Sequence, residues 1–375
     1  MSKKGENIYK RKDGRWEGRY VKGRGEDGKL RYGYCYGRSY REVKERLTDA
    51  AVAEKLRMPT SSGMRGMRFG DACREWLALC RYRVKESTLV KYTAIAEKHL
   101  VPRLGACYLH TLTTSRIESF KGRLLTEDAL AVKTVRDILG VLRSVLIYAS
   151  KQSPYAFVMP EIVYPRGSGN EMRVLSREEQ ARLVNYLLEE TDGCKLGVLL
   201  ALSCGLRIGE VCALRWGDVS LAEGTVRVGA TMQRLRSLSG EEARTRIIID
   251  TPKSGASARI IPLGEEVRRL CEMHLGRADA FVLTGEKVRF VEPRVLQYRF
   301  AGYAKACGLE GVHFHTLRHT FATRCVEAGF ELKSLSEVLG HASPKITLER
   351  YVHSSMELKR SNMNKLSFFV LPPSG

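Results

Sequence analysis

The sequence predicts a multidomain α+β protein. Its parts are an N-terminal three-stranded β-sheet with one helix, a helical bundle, and a mainly α domain that carries a small antiparallel sheet. Three observations lead there. Residues 1–57 alternate aromatic or aliphatic with charged side chains and break twice at Asp-Gly, which is the pattern of short antiparallel strands. Residues 68–152 place apolar side chains at helical spacing almost throughout, and from residue 174 onward both patterns occur together. Two stretches without periodicity separate these parts. Residues 58–67 ("MPTSSGMRGM") and 153–173, with three prolines, read as linkers. The third domain then runs from 174 to 375 and includes a C-terminal tail.

Taken in order, "NIYKRKDGRWEGRYVKGRGEDGKLRYGYCYG" supplies the strands. The following "SYREVKERLTDAAVAEKLR" opens with Ser39 and, three residues on, Glu42, a capping box. Tyr40, Val43, Leu47 and Ala50 then recur at helical spacing, so one face can pack on the sheet. In the bundle, Phe69, Cys73, Trp76, Leu77 and Cys80 line one helix face, and Leu89, Tyr92, Ile95 and His99 a second. "LAVKTVRDILGVLRSVLIYASKQ" forms a long third helix, with "TTSRIESFKGRLL" before it. In the last domain, helices over about 177–190 and 193–203 precede a strand cluster ("TVRVGATMQR", "ARTRIIIDTP", "ARIIPL") rich in β-branched residues. Helices return from about 263.

Charge narrows the function. The chain carries 63 Lys and Arg against 42 Asp and Glu, a net charge of +21. Residues 1–57 alone hold 17 basic against nine acidic residues. Such a surplus points to a polyanion, with nucleic acid the first candidate. The alternative, an anionic membrane, lacks a run of about 20 apolar residues to span it, and "MSKKGENIYKRK" does not lead into a signal-peptide apolar region. A cytoplasmic, nucleoid-associated protein is expected. The basic sheet residues Arg11, Arg15, Trp16, Arg19, Lys22 and Arg24 are the candidate DNA contacts. The ten cysteines include no CxxC pair, and several fall on apolar helix faces, so they read as reduced core thiols.

Four islands in the last domain hold polar residues that a core would not request. In "LSCGLRIGEVCALRWGDV" (202–219), Arg207 begins an apolar stripe and Glu210 follows one turn later. This is either a simple helical pair or a guanidinium aimed at a phosphate. In "TPKSGASARIIPL" (251–263), Lys253 lies in a Pro- and Gly-bounded turn and, taken alone, is an exposed hairpin lysine. In "HFHTLRHTFAT" (313–323), His315 and Arg318 sit one above the other on a helix. The pair His315 and His319 has zinc-like spacing, but Thr316 stands where a metalloprotease carries glutamate, and no metal site is expected. In "LGHASPKITLERYVH" (339–353), His341 is followed ten residues later by Tyr351.

The order Arg, Lys, His-x-x-Arg, His, Tyr, carried by "GLRIGEV", "PKSGASARIIPL", "HTLRHTFAT" and "LGHASPKITLERY", resembles the tyrosine recombinase (phage integrase) family. "STLVKYTAIAEKHLVPRLG" is similar to that family's helical core-binding domain. "KRKDGRWEGRYVKGRG" looks like the arm-site DNA-binding domain of integrases from conjugative transposons and temperate phages. The resemblance implies that Arg207 and Arg318 clamp the scissile phosphate and that Lys253 protonates the leaving 5′ oxygen. It further implies that His315 serves the nucleophile's proton, His341 hydrogen-bonds the phosphate, Glu210 orients the site, and Tyr351 is the nucleophile. Tyr298 and Tyr303 do not follow the "LGH" island and read as packing residues. A phosphotyrosine linkage keeps the phosphodiester's energy, so rejoining needs no ATP or metal and no cofactor is implied.

The resemblance implies further partners: double-stranded DNA at core and arm sites, and a homotetramer on a Holliday junction with exchange of the C-terminal tail. A directionality factor and a host DNA-bending protein are candidate accessories. The rival readings are a DNA-binding regulator that kept the fold without the reaction, for which a lost Tyr, Arg or Lys would speak, and a type IB topoisomerase, which needs no separate basic sheet.

Overall fold

The computed structural model describes residues 7–24, 30–47, 66–152, 158–167, 172–237, 245–251, 258–341 and 343–351, with only the backbone at 21–24, 30–31 and 349–351. The chain divides into two compact units, 1–168 and 169–375.

The first unit opens with strands β1 (Ile8–Lys10), β2 (Trp16–Arg24) and β3 (Leu30–Gly37), antiparallel in the order β1-β2-β3. Helix α1 follows over 40–47. The capping signal holds in a shifted form: Ser39 Oγ accepts the Glu42 N–H at 3.2 Å, but the Glu42 carboxylate takes the N–H of Arg38, at 2.8 Å, rather than that of Ser39. Val43 is fully buried, and the Trp16 ring meets Tyr40 edge-on at 5.4 Å. Alternation along β2 therefore turns Glu17 and Arg19 to the face away from the helix. The remainder of the expected helix, 48–57, and linker residues 58–65 lie outside the described residues.

The bundle comprises α2 (Phe69–Cys80), α3 (Glu86–Ile95), α4 (Val101–Leu104), α5 (Thr114–Thr126) and α6 (Val132–Gln152). Between α3 and α4 the chain keeps winding through a wide turn, Ala96–Leu100, in which the Val101 N–H reaches back to Ala96 O. Pro102 is the cause: it has no N–H for the carbonyl four residues earlier, and widening the turn ahead of it lets the helix continue. Along α6, Val135, Ile138, Leu139, Leu142, Val145, Leu146 and Ala149 form a buried spine at spacings of three and four. Phe69, Phe120 and Leu124 fill the facing side. Each such side chain contributes about 1.5–3 kcal/mol on burial.

Part of the stretch expected as an extended linker packs on this bundle. Over 158–167, Ile162 and Tyr164 pack against the core. The Glu161 N–H donates to Thr114 Oγ1 at 3.1 Å, and Lys121 Nζ donates to Val163 O at 3.1 Å. Arg136 donates to Pro165 O at 3.3 Å and lies over the Tyr164 ring. The prolines stop helix formation, as expected, but the apolar residues between them are enough to anchor the chain.

In the second unit, α7 (Arg177–Leu188) starts at a complete capping box between Ser176 and Glu179. Helix α8 (Gly193–Cys204) is buried on nearly every face and runs through the middle of the core. Around it stand α9 (Ile208–Ala213), α10 (Glu265–Met273), α11 (Pro293–Ala306), α12 (Phe314–Glu327), α13 (Leu332–Leu339) and α14 (Pro344–Tyr351). The strand cluster forms two sheets instead of one. Strands β4 (Val219–Ser220), β5 (Thr225–Val228) and β8 (Arg259–Pro262) pair in the order β4-β5-β8, while β6 (Thr231–Arg236) and β7 (Thr245–Asp250) pair with each other. Gly229 and Ala230 break the chain between β5 and β6 and release the hairpin from the first sheet.

All ten cysteines are free, and seven are buried. Burial pushes the thiols of Cys73, Cys271 and Cys325 up to about 11 and that of Cys204 up to about 12. These are core residues, protonated at neutral pH. Cys35, Cys107 and Cys307 are partly exposed. Among the described residues no helix is long and apolar enough to cross a membrane.

Candidate active site

Two helix ends build the site. Helix α8 stops at Gly205 and α13 stops at Gly340, both left-handed (φ 64° and 61°), a conformation that costs glycine little. Each stop leaves carbonyls without helical partners, and arginines collect them. Arg318, in the second turn of α12, is only 1% exposed; its Nη1 donates to Gly205 O at 2.7 Å and its Nη2 to Leu339 O at 2.5 Å. A buried guanidinium requires such acceptors, and the negative ends of two helices suit it.

Arg207 precedes α9. Its backbone N–H donates to Glu210 Oε2 at 2.9 Å, its Nη1 to Glu210 Oε1 at 2.8 Å, and its Nη2 to Gly340 O at 3.2 Å. About a third of this side chain is open to solvent. Glu210 is nearly enclosed. Burial alone would raise its carboxyl, but hydrogen bonds and charge from Arg259, followed by those of Arg207, outweigh burial and hold it below the usual carboxylate range. Glu210 is therefore ionised at neutral pH.

His341 follows Gly340 directly. Its backbone N–H donates to Ser336 O at 3.0 Å, and its Nδ1 lies 2.8 Å from Oγ1 of the fully buried Thr347 on α14. His315 lies in the first turn of α12 with its ring edge-on to His319 at 4.5 Å. It opens into a cleft of about 550 Å³ shared with Ile208, Arg234, Arg294, Gln297 and His313. Among the described residues no group of three or more His, Cys, Asp or Glu side chains is arranged to hold a metal ion. Tyr351 is the last residue of α14; its side chain and the whole of Lys253 lie outside the described residues. Lys253 belongs to the connection between Asp250, the end of β7, and Arg259, the start of β8.

The structure thus brings together Arg207, Glu210, Arg318 and His341, and adds two residues that sequence reading passed over. Thr347 carries a buried hydroxyl beside His341. Arg259 grips Glu210 with both terminal nitrogens, at 3.0 and 2.9 Å, and donates through Nε to Val338 O at 2.6 Å. Alternation held the clue: in "ARIIPL", Arg259 shares its strand face with buried Ile261, whereas Ile260 faces solvent.

The candidate DNA contacts of the N-terminal sheet separate onto different surfaces. Arg19 lies over the Tyr32 ring at 4.4 Å and Arg11 over Tyr36 at 5.7 Å. Arg11 also pairs with Glu17, and Arg15 pairs with Asp13 at 2.8 Å. Trp16 meets Tyr40 of α1 edge-on, on the side of the sheet that the helix covers. The side chains of Lys22 and Arg24 lie outside the described residues.

Residues 173–357 match the phage integrase family, and residues 68–125 match the phage integrase N-terminal SAM-like domain, together well over half of the chain. The chain belongs to the phage integrase family of tyrosine recombinases and is a site-specific, DNA strand-transferring enzyme. It is 24% identical over 374 residues to a tyrosine recombinase XerC-like protein of Caldanaerobacter subterraneus subsp. tengcongensis, covering 92% of this chain and 94% of the relative. Among solved structures, it is similar in fold to the Tn1549 transposon integrase in complex with a circular intermediate DNA. There the TM-score is 0.64 at 20% identity, over 80% of this chain and 100% of that one. It is likewise similar to a lambda integrase tetramer bound to a Holliday junction, with TM-score 0.56 at 18% identity over 92% and 94% of the two chains.

Proposed function

We propose that this recombinase integrates and excises a mobile element by cutting and rejoining DNA strands in pairs through a 3′-phosphotyrosyl intermediate and a Holliday junction. The carrying observation is the convergence of Arg207 and Arg318 on neighbouring carbonyls, Gly340 O and Leu339 O, with His341 the next residue. Three cationic or hydrogen-bonding groups around one point suit a phosphodiester, whose attack at phosphorus adds negative charge that positioned donors stabilise.

In this mechanism the Tyr351 phenolic oxygen forms a bond to phosphorus while the bond from phosphorus to the 5′ oxygen breaks. His315 accepts the phenol proton, Lys253 supplies a proton to the departing 5′ oxygen, and Arg207, Arg318 and His341 hold the two remaining oxygens. Glu210 orients Arg207. Rejoining reverses each transfer with a 5′ hydroxyl from the partner duplex. The enzyme works as a homotetramer on two core sites, with the C-terminal tail exchanged between subunits. Its N-terminal sheet grips a separate arm site through Arg11, Arg15 and Arg19.

Covalent trapping tests this reading. On nicked suicide duplexes drawn from the ends of the element that carries the gene, the protein is expected to form an adduct to the 3′ end that survives denaturation and forms in the presence of chelator. Duplex binding without any adduct would favour the non-catalytic regulator. Removing residues 1–57 is expected to leave this adduct intact and to impair integration of a full element in a two-plasmid assay; equal integration by the truncated protein would remove the arm-site role.

A further inference from the structure

Three guanidiniums meet three successive carbonyls at the end of α13. Arg259 takes Val338 O, Arg318 takes Leu339 O and Arg207 takes Gly340 O. Two of these arginines are assigned above to the phosphate. Arg259 is not: both its terminal nitrogens fork onto the Glu210 carboxylate and its Nε onto Val338 O. We infer that Arg259 is a positioning residue that sets both the place and the effective charge of Arg207. The inference rests on the phosphate-binding role of Arg207 proposed above.

The geometric part follows from what Arg259 joins. It connects β8, the buried carboxylate of α9 and the last turn of α13, and so fixes the distance between the Glu210 that holds Arg207 and the Gly340 carbonyl that holds it from the other side. Only a planar fork with a third donor on Nε makes all three bonds at once; a lysine ammonium can serve one or two of them. A shift of about 1 Å in a group that stabilises a transition state costs on the order of 100-fold in rate.

The charge part concerns Glu210. A carboxylate alone with Arg207 would cancel it and give a pair of no net charge. With Arg259 on the other side, one negative charge is shared by two positive ones, and the triad retains a net positive charge for an incoming phosphate. Arg259 thus allows a buried acid to hold Arg207 firmly without extinguishing it.

The test is single-turnover adduct formation on a nicked suicide duplex from the element end, at saturating DNA, with binding affinity and thermal melting recorded for each variant. Arg259→Met is expected to slow cleavage on the order of 100-fold with Kd changed less than about three-fold, and Arg259→Lys to lose about ten-fold, since lysine keeps the charge. Combined with Glu210→Gln, which removes the unshared negative charge, Arg259→Met is expected to cleave faster than Arg259→Met alone. Should the methionine variant fail to fold, Arg259→Gln, which loses the charge but can still hydrogen-bond Glu210, and its Glu210→Gln combination carry the same comparison. A folded variant that cleaves within about three-fold of the parent, or losses that multiply in the double variant as for independent sites, would overturn the inference. Absence of adduct from the parent protein itself would instead overturn the catalytic reading, and this inference with it.

Discussion

Tyr351→Phe is expected to reduce strand cleavage by on the order of 10⁴-fold or more while duplex binding stays within a few-fold. The substitution keeps the ring and removes only the oxygen that would bond phosphorus, so neither α14 nor the basic surface should change. A phenol near its ordinary pKa is a poor nucleophile at neutral pH; in the proposed mechanism the cations that hold the phosphate lower the cost of forming the phenolate. Tyr298, expected to pack, is instead 64% exposed and lies against Arg294, whereas Tyr303 is partly buried and held in its protonated form above the ordinary phenol range, burial being the main cause. Adduct yield on denaturing gels, beside Kd from the same preparations, decides the matter. Adduct from the phenylalanine variant would move the nucleophile elsewhere in the chain.

Arg318→Lys should reveal a residue with two duties. Loss of its fork is expected to slow cleavage by about 10²–10³-fold, as when one transition-state donor is removed. It should also cost about 1–3 kcal/mol of stability, because lysine cannot serve both Gly205 O and Leu339 O and one buried carbonyl is left without its partner. Denaturant unfolding and single-turnover cleavage separate the two effects. A variant that melts like the parent yet fails to cleave would assign Arg318 to the phosphate alone. One that cleaves normally when folded would make it a brace between α8 and α13 and nothing more.

Much of this molecule is legible in its sequence because local rules and the final packing agree. The spine of α6, the span of α7 and the alternation of β2 each follow from side-chain periodicity. The polar islands announced themselves because arginine and histidine are out of place beside apolar stripes. Other features depend on distant partners. Arg259 looks like an ordinary strand residue until a carboxylate 49 positions away is folded against it. Segment 158–167 carries the prolines of a linker, yet Ile162 and Tyr164 find a groove that no local pattern describes. Trp16 stands among basic residues in the sequence, whereas the pleat turns it to Tyr40 of α1, away from the face of Glu17 and Arg19. The division of the C-terminal strands into two sheets is a matter of pairing register, which periodicity does not encode.

The placement of the thiols has a practical consequence. Cys35 in the N-terminal sheet, Cys107 in the helical bundle and Cys307 in the catalytic domain are partly exposed, while the other seven are enclosed. Gentle maleimide treatment of the unaltered protein should therefore tag one native handle in each module. Keeping a single handle by changing the other two to serine yields three reporters for fluorescence or spin-label studies. Pairing two of them lets the separation of modules be followed before and after DNA is added, with no foreign cysteine introduced and the packed interior untouched.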